Sequence, residues 1–557
     1  MTSSNPSQKW LALLSRWAPP LLLMVAGVQL CMNWGFRGFF AIDQSIVWHG
    51  AVRWMNGDLF VNDFRTPNGF TPIVMQAILF QLFGMNWYTY VFHAGLVNGA
   101  FGVIVFSVLK RLGGPRWLSF VFALLSMLVF YAPMATPFMD QHAYFFSMWA
   151  VLLAMKKSGL PLWRRRLEWA LLPVAVVLAV ASKQIPTAFF LPVVAYALLT
   201  STARRQWIEA AASMGVGTAL ALCILCWWFP PWKTDFQLLR VTVWEIPSSV
   251  GDERWGKLGF HKPYGLLRQL FTDPFDALNL RKEFYRIVLM VVILGAAVAP
   301  LLVRFVPRLP KAAFRPLRQL PLVLLIQLAG GFSLALTQNN RENSIPYVYL
   351  TLGGIAVVIW AIGKEWNGRW WTRAVSICLV AFVLGNGIWD AVGFWRYKLE
   401  PRTANDFTYG EFDLTLPSCA PSSIQELSTL NAQGPLQFHY HNMDSLVIYL
   451  RSKGESFILW SDYTIVYDLC GQRDPLPWLW LHPGLTIPQP GSSELHAADS
   501  TILDALQKSD LLVLQSPTSE TYMQADLMDY PLSAAWVEEN AVSGDRLPGF
   551  YVADLKP

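Results

Sequence analysis

Apolar stretches of about 20 residues recur along this chain, with basic loops after every second one, and that recurrence confines the fold to a bundle of membrane-spanning helices. Eleven segments are drawn, at 11–33, 88–109, 117–135, 138–155, 167–182, 184–201, 209–229, 286–303, 319–336, 345–363 and 373–392. Some are short or meet at Pro and polar breaks, so the count is good to one or two spans. Charged residues make up 14% of the 557, against about 25% in soluble proteins. A net charge of +6 is dealt out between apolar runs and marks no nucleic-acid surface.

The basic residues fix an orientation. Lys110, Arg111 and Arg116, then Lys156, Lys157 and Arg164 to Arg166, then Arg204 and Arg205 fall in alternate loops, followed by Arg304 to Arg318 and Lys364 to Arg373. By the positive-inside rule these loops and the N-terminus are cytoplasmic. The first segment follows Lys9 and Arg16 but precedes no small-residue cleavage site, so it reads as an anchor.

Residues 1–394 then form a transmembrane module with two large outer loops, 34–87 and 230–285, and residues 395–557 a soluble outer domain. That tail has apolar strand patterns in SFILWSD (456–462), DLLVLQS (510–516) and GFYVADL (549–555), with helical patterns at 443–453 and 500–508. It reads as a small α/β domain. Cys419 and Cys470, its only cysteines, can pair as a disulfide outside the membrane or remain thiols. Cys223 and Cys226 have the spacing of a redox or metal pair, but in an apolar helix they read as small packing residues, as do Cys31 and Cys378.

The first outer loop holds Asp43, Gln44, His49, Asp58 and Asp63, far more than a connector needs. DQSIVWHGAVRWMNG has helical spacing with Gly57 as a stop, and predicts an interfacial helix with its aromatic face in the headgroups. A second apolar run, 71–84, returns the chain to the bilayer. Asp43 can cap the first helix, or serve as a partly desolvated base. Asp58 and Asp63 flank a turn-rich segment and read as turn formers as readily as ligands. Asp140, with Gln141 and His142, stands at the mouth of the fourth span, where ionisable residues are often functional and otherwise mark the interface.

GDLFVNDFRTPNGFTP after an interfacial helix, SFILWSDYTIVYDLCGQRDPLPWLWLHPG in the tail and LALTQNNRENSIPYVYLTLGG before the tenth span resemble stretches of bacterial GT-C glycosyltransferases. Within that superfamily the likeness is to family 39, protein O-mannosyltransferases and aminoarabinose transferases, which take sugars from polyprenyl phosphates. The resemblance implies a periplasmic transferase of the bacterial inner membrane, working by an inverting displacement, with Asp43 as general base. The family commonly has Asp-Glu where this chain has Asp43-Gln44, which leaves Gln44 only hydrogen bonding to acceptor or sugar. His49, Asp63, Asp140, Gln141 and His142 are further candidates for sugar or acceptor contacts. A polyprenyl-phosphate donor calls for outward cations on its phosphate. Lys183 and Arg341, in very short outer loops, lead, followed by Lys257, His261, Lys262 and Arg268. The cluster from Arg254 to Arg268 can instead meet anionic headgroups. No tight metal-ligand spacing is present and the resemblance demands none, so metal-independent chemistry is expected. The acceptor is a glycan, lipid or protein; a flippase or other transporter, or an envelope-assembly protein without transferase activity, is the alternative.

Overall fold

The structure is a computed structural model. It describes residues 6–35, 41–131, 135–155, 159–245, 248, 321–330, 333, 346–365, some positions between 374 and 392, and, with short gaps, 435–515 and 526–556. Within these, the side chains of 6–16, 34, 41–44, 346, 348, 362–365, 435–442 and 444 are outside the description.

The helices follow the apolar runs: α1 (Pro6–Trp34), α4 (Trp87–Arg111), α5 (Arg116–Phe130), α6 (Met139–Ala154), α7 (Leu162–Ser182), α8 (Gln184–Ser201) and α9 (Trp207–Trp228). A helical stretch α10 covers Pro321–Gly330 and α11 covers Pro346–Glu365. By length and composition Trp87–Arg111, Gln184–Ser201 and Arg204–Trp228 suffice to cross a membrane, with shorter apolar helices including Trp17–Asn33 and Arg116–Phe130. The expected span 286–303 lies outside the described residues, and 373–392 is described only in part. On α1 and α9, Leu21, Val25, Ile208 and Val216 are exposed. Such apolar faces call for lipid around them.

Small residues allow a close helix contact. Gly27 of α1 faces Gly99 of α4, and a Cβ on Gly27 would come 2.3 Å from the Gly99 nitrogen. Without a driving force from water, such backbone approach is what binds helices in lipid. Gly27→Leu is expected to push α1 off α4 and to cost at least about 1–3 kcal/mol, read as a lower thermal transition of the detergent-solubilised protein. An unchanged transition would show that the two helices do not pack this closely.

One end of the bundle pairs Arg111 with Glu168 at 2.9 Å and Arg165 with Glu209 at 2.8 Å. The opposite end carries α2 (Ala41–Met55), α3 (Phe70–Phe83) and the C-terminal domain. The α2 helix forms as its spacing predicts, but protein covers its apolar face rather than headgroups. Ile46, Val47, Trp48 and Ala51 are fully buried, and Trp48 packs against Phe80, Trp87 and Tyr90 at centroid distances of 4.7–5.9 Å.

The C-terminal domain is a four-stranded sheet, ordered β1-β2-β4-β3: β1 (Phe457–Trp460), β2 (Leu511–Gln515), β3 (Asp545–Leu547) and β4 (Phe550–Asp554). Its helices are α12 (Pro435–Lys453), α13 (Ile465–Cys470), α14 (Leu495–Gln507) and α15 (Pro531–Asn540). The β1–β2 pair is parallel, β2–β4 and β4–β3 antiparallel. Side chains alternate across the sheet: Ile458 and Leu512 pack with Ile502 and Leu506 of α14, while Phe457, Leu459, Leu511 and Val513 belong to the same buried core as α12 and the helix bundle. One sheet face thus joins the domain to the rest of the chain.

Candidate active site

The site is built on a break between α7 and α8. A continuous helix would need the Pro186 nitrogen to donate to the Ser182 carbonyl, and proline has no N–H. Lys183 instead adopts extended backbone, φ −162° and ψ 129°. The freed Ser182 carbonyl accepts the N–H of Gly69 at 2.9 Å. Gly69 has φ +89°, a conformation that favours glycine. Gln184 Nε2 donates to the Pro67 carbonyl at 2.6 Å, and Thr71 Oγ1 to the Leu178 carbonyl at 2.8 Å. RTPNGFTP of the first outer loop is therefore laid on this break.

Lys183 Nζ donates to Asp140 Oδ2 at 2.8 Å. Asp140, in the first turn of α6, is buried, and the Lys183 side chain is 19% exposed. An ammonium has three N–H groups, so Lys183 can hold Asp140 and still donate to an anion. Gln141 Oε1, next to Asp140 in sequence, and Asn68 Oδ1, next to Gly69, are buried without a hydrogen-bond partner among the described residues. Buried polar atoms seldom stay unpaired, and a sugar hydroxyl is one group that would meet the demand.

His142 turns elsewhere. Its Nδ1 lies 2.7 Å from Tyr131 Oη and its Nε2 2.9 Å from His93 Nε2, while His93 Nδ1 lies 2.9 Å from Gln76 Oε1. The same His142 Nδ1 also lies 2.9 Å from the Phe138 carbonyl, to which it can only donate. All four side chains are buried, so His142 is committed inside the bundle, linking α3, α4 and α6, rather than beside Lys183.

His49 is likewise drawn away from an acceptor role, into a seam with the C-terminal domain. Its Nδ1 lies 2.9 Å from both carboxylate oxygens of Asp468 and its Nε2 3.3 Å from Asp474 Oδ2. Arg53, one helical turn on, donates Nε to Asp58 Oδ2 at 2.8 Å, Nη1 to the Leu476 carbonyl and Nη2 to the Asp63 carbonyl, each at 2.7 Å. Arg473 reaches the other Asp58 oxygen at 2.6 Å. The Asp63 carboxylate accepts the Leu59 N–H at 2.7 Å, closing a turn. Burial would push the His49 imidazole down, but the carboxylates of Asp468 and Asp474 outweigh it and hold its pKa up at about 9. Burial raises Asp468, against the pull of His49.

The seam continues along the loop. Arg65 and Trp478 form a parallel bridge, with the Arg65 N–H on the Pro477 carbonyl and the Leu479 N–H on the Arg65 carbonyl. The Arg65 guanidinium lies 5.5 Å from the Trp478 ring centroid. A Cβ on Gly50 of α2 would press within 2.8 Å of Ile73 and 3.1 Å of Leu479. Two of the stretches that carried the family resemblance, separated by some 400 residues of chain, thus pack on one another.

Asp43 lies in the first turn of α2, and its side chain and that of Gln44 are outside the described residues. Lys257, His261, Lys262, Arg268, Arg341 and Cys419 also lie outside them. Cys470 is a partly buried thiol at the end of α13. Among the described residues no three His, Cys, Asp or Glu side chains gather as metal ligands. Trp48 and Trp87 are fully buried and stack on one another, so neither is open to a sugar; Tyr88 is exposed.

No family model and no curated protein matches the chain. Among solved structures it is similar to the arabinofuranosyltransferase AftD from Mycobacteria, at 14% identity and TM-score 0.45, over 97% of this chain and 40% of that one. It is also similar to ArnT from Cupriavidus metallidurans, at 13% identity and TM-score 0.41 in the apo state, over 99% of this chain and 98% of that one. Against the same protein bound to undecaprenyl phosphate the values are 12% and 0.38, over 96% and 97%. This chain spans less than half the length of AftD. With TM-scores below 0.5, these likenesses decide nothing about function. The fold and site themselves define a helical membrane bundle with an α/β domain seated on one end.

Proposed function

We propose that this chain is an integral membrane glycosyltransferase that moves a sugar from a polyprenyl-phosphate donor to a hydroxyl acceptor on the outer face of the bacterial inner membrane. The observation that carries the reading is the Lys183–Asp140 pair at the α7–α8 break, overlaid by the loop that follows Asp43's helix. A cation and a carboxylate are thereby fixed at a bundle end, where a lipid-linked phosphate meets water-borne chemistry.

In the reaction, the acceptor oxygen attacks the anomeric carbon while the carbon–oxygen bond to phosphate breaks. The electron pair leaves with the polyprenyl phosphate, and Asp43 takes the acceptor proton. One displacement of this kind inverts the anomeric centre. The phosphate is a good leaving group without protonation, so cations suffice for it, with Lys183 a point charge and Arg341 able to clamp two oxygens. Asp140 holds Lys183 in place, and Gln44, Gln141 and Asn68 offer hydrogen bonds to sugar or acceptor hydroxyls. Lys257, His261, Lys262 and Arg268 supply further positive charge toward the donor.

Transfer is expected to be metal-independent. EDTA should leave the rate of the purified protein within about twofold, and complete loss restored by Mn²⁺ or Mg²⁺ would contradict this. The function itself is tested by mass spectrometry of envelope glycans, lipids and glycoproteins from wild-type and deletion strains. A sugar-sized mass lost from one class identifies the acceptor; unchanged profiles would count against a transferase and toward a flippase or assembly role.

A further inference from the structure

The seam between α2 and the C-terminal domain has no place in the transfer chemistry, yet it is densely built. The polar atoms that His49 and Arg53 send toward it are all met: both nitrogens of His49 by Asp468 and Asp474, and all three nitrogens of Arg53 by Asp58, the Leu476 carbonyl and the Asp63 carbonyl. The side chains of His49, Asp468 and Asp474 are at most 3% exposed. Gly50, between His49 and Arg53 on the helix, brings the backbone against the side-chain tips of Ile73 and Leu479, which a Cβ would press to 2.8 and 3.1 Å. A mere tether between two modules would not need buried charges matched across the contact, because each costs several kcal/mol to desolvate. Such groups specify register, and the register specified here is that of α2.

Resting on the reading of Asp43 as base, we propose that Asp468 and Asp474 are positioning residues for the transfer reaction, locking α2 through His49 and Arg53 so that the helix's first turn, with Asp43, is held at the site. The C-terminal domain is then part of the catalytic apparatus although it supplies no reacting group. Asp43 and His49 are six residues apart on one helix, about 9 Å of helix rise, so a tilt at His49 is carried to Asp43. Misplacement by about 1 Å is enough to lower a rate about 10²-fold.

The lock has a pH sense. The groups facing His49 are Asp468, Asp474 and the Tyr467 ring of the C-terminal domain, with Arg53 on its own helix 3.9 Å from Asp474 and tied to Asp58, which also pairs with Arg473. His49 is raised above its ordinary 6.5 to about 9. A raised imidazole contributes fully below 6.5 and its contribution is lost as pH climbs through 9.

The test uses the full-length protein in lipid nanodiscs and reads two quantities, amide exchange of α2 and the steady-state kinetics of transfer. In Asp468→Asn and Asp474→Asn, α2 exchange is expected to rise at least tenfold, and kcat to fall about 10²-fold with donor KM within threefold. In the unsubstituted protein, α2 exchange corrected for intrinsic rate should rise between pH 6.5 and 9.5, more steeply than in α4, so the lock is testable even if a variant misfolds. The double variant His49→Gln/Asp468→Asn should be no worse than the worse single variant, as expected of direct partners. Unchanged α2 exchange, or faster exchange with an unchanged kcat, would overturn the proposal. A failed function reading looks different: the unsubstituted protein would then release no polyprenyl phosphate, or Asp43→Asn would transfer like wild type, and the exchange data alone would decide whether α2 is locked.

Discussion

Asp43→Asn is expected to reduce sugar transfer by about 10²–10⁴-fold, the range spanned by positioned general bases, while donor binding stays within a few fold. The amide keeps the size and shape of the carboxylate and removes only its capacity to take a proton. Helix α2 should survive the change, because it already runs from Ala41, which puts Asp43 inside its first turn rather than at the cap, and because it is fixed by Trp48, Gly50, His49 and Arg53 further along. An Asp43 with no part in the chemistry would give the opposite pattern, unchanged kinetics in a folded protein. Expression, thermal transition and single-turnover transfer on the same preparation separate these outcomes.

Lys183 carries the second large effect. Lys183→Met is expected to lower transfer about 10²–10³-fold, as removal of a donor to developing negative charge does. It also strips a charged partner from buried Asp140, and breaking one side of a buried pair costs about 3–5 kcal/mol. Two losses are thus mixed in one substitution. The double variant Asp140→Asn/Lys183→Met removes the buried charge as well and should regain most of the stability but little of the activity. Recovery of transfer to near wild type in the double variant would show that Lys183 serves only to neutralise Asp140. Lys183→Arg should keep the fold and part of the rate, since a guanidinium retains the charge in a different geometry.

Hydropathy made the bundle legible. The segments 138–155, 184–201 and 209–229 fall within two residues of α6, α8 and α9, because lipid imposes one requirement on long apolar runs. The short apolar runs of the tail became β1, β2 and β4 for a similar reason, with β1 buried on both faces. Strand β3 passed unread: Asp545 and Arg546 are exposed, so no alternation marks it, and its pairing to β4 decides it. Asp140 and Lys183 each stood out as polar residues at helix mouths, but nothing in the sequence states that they meet. His49 shows the limit most clearly. A lone loop histidine reads as a candidate ligand, whereas its actual partners lie 419 and 425 positions away, beyond any local pattern. His93 did carry a signal, an ionisable residue within a span, and its link to His142 follows from that signal once α4 and α6 pack.

Sugar transfer with release of a polyprenyl phosphate is the chemistry on which every residue role proposed for this protein depends. It is tested most directly by reconstituting the purified chain in vesicles with radiolabelled sugar–polyprenyl phosphates and an envelope extract as acceptor, and measuring free polyprenyl phosphate against labelled product. The two are expected to appear in equal amounts, at a rate removed by Asp43→Asn and retained in EDTA. Labelled donor that crosses the bilayer intact, with no polyprenyl phosphate released, would refute the transferase and identify a flippase instead.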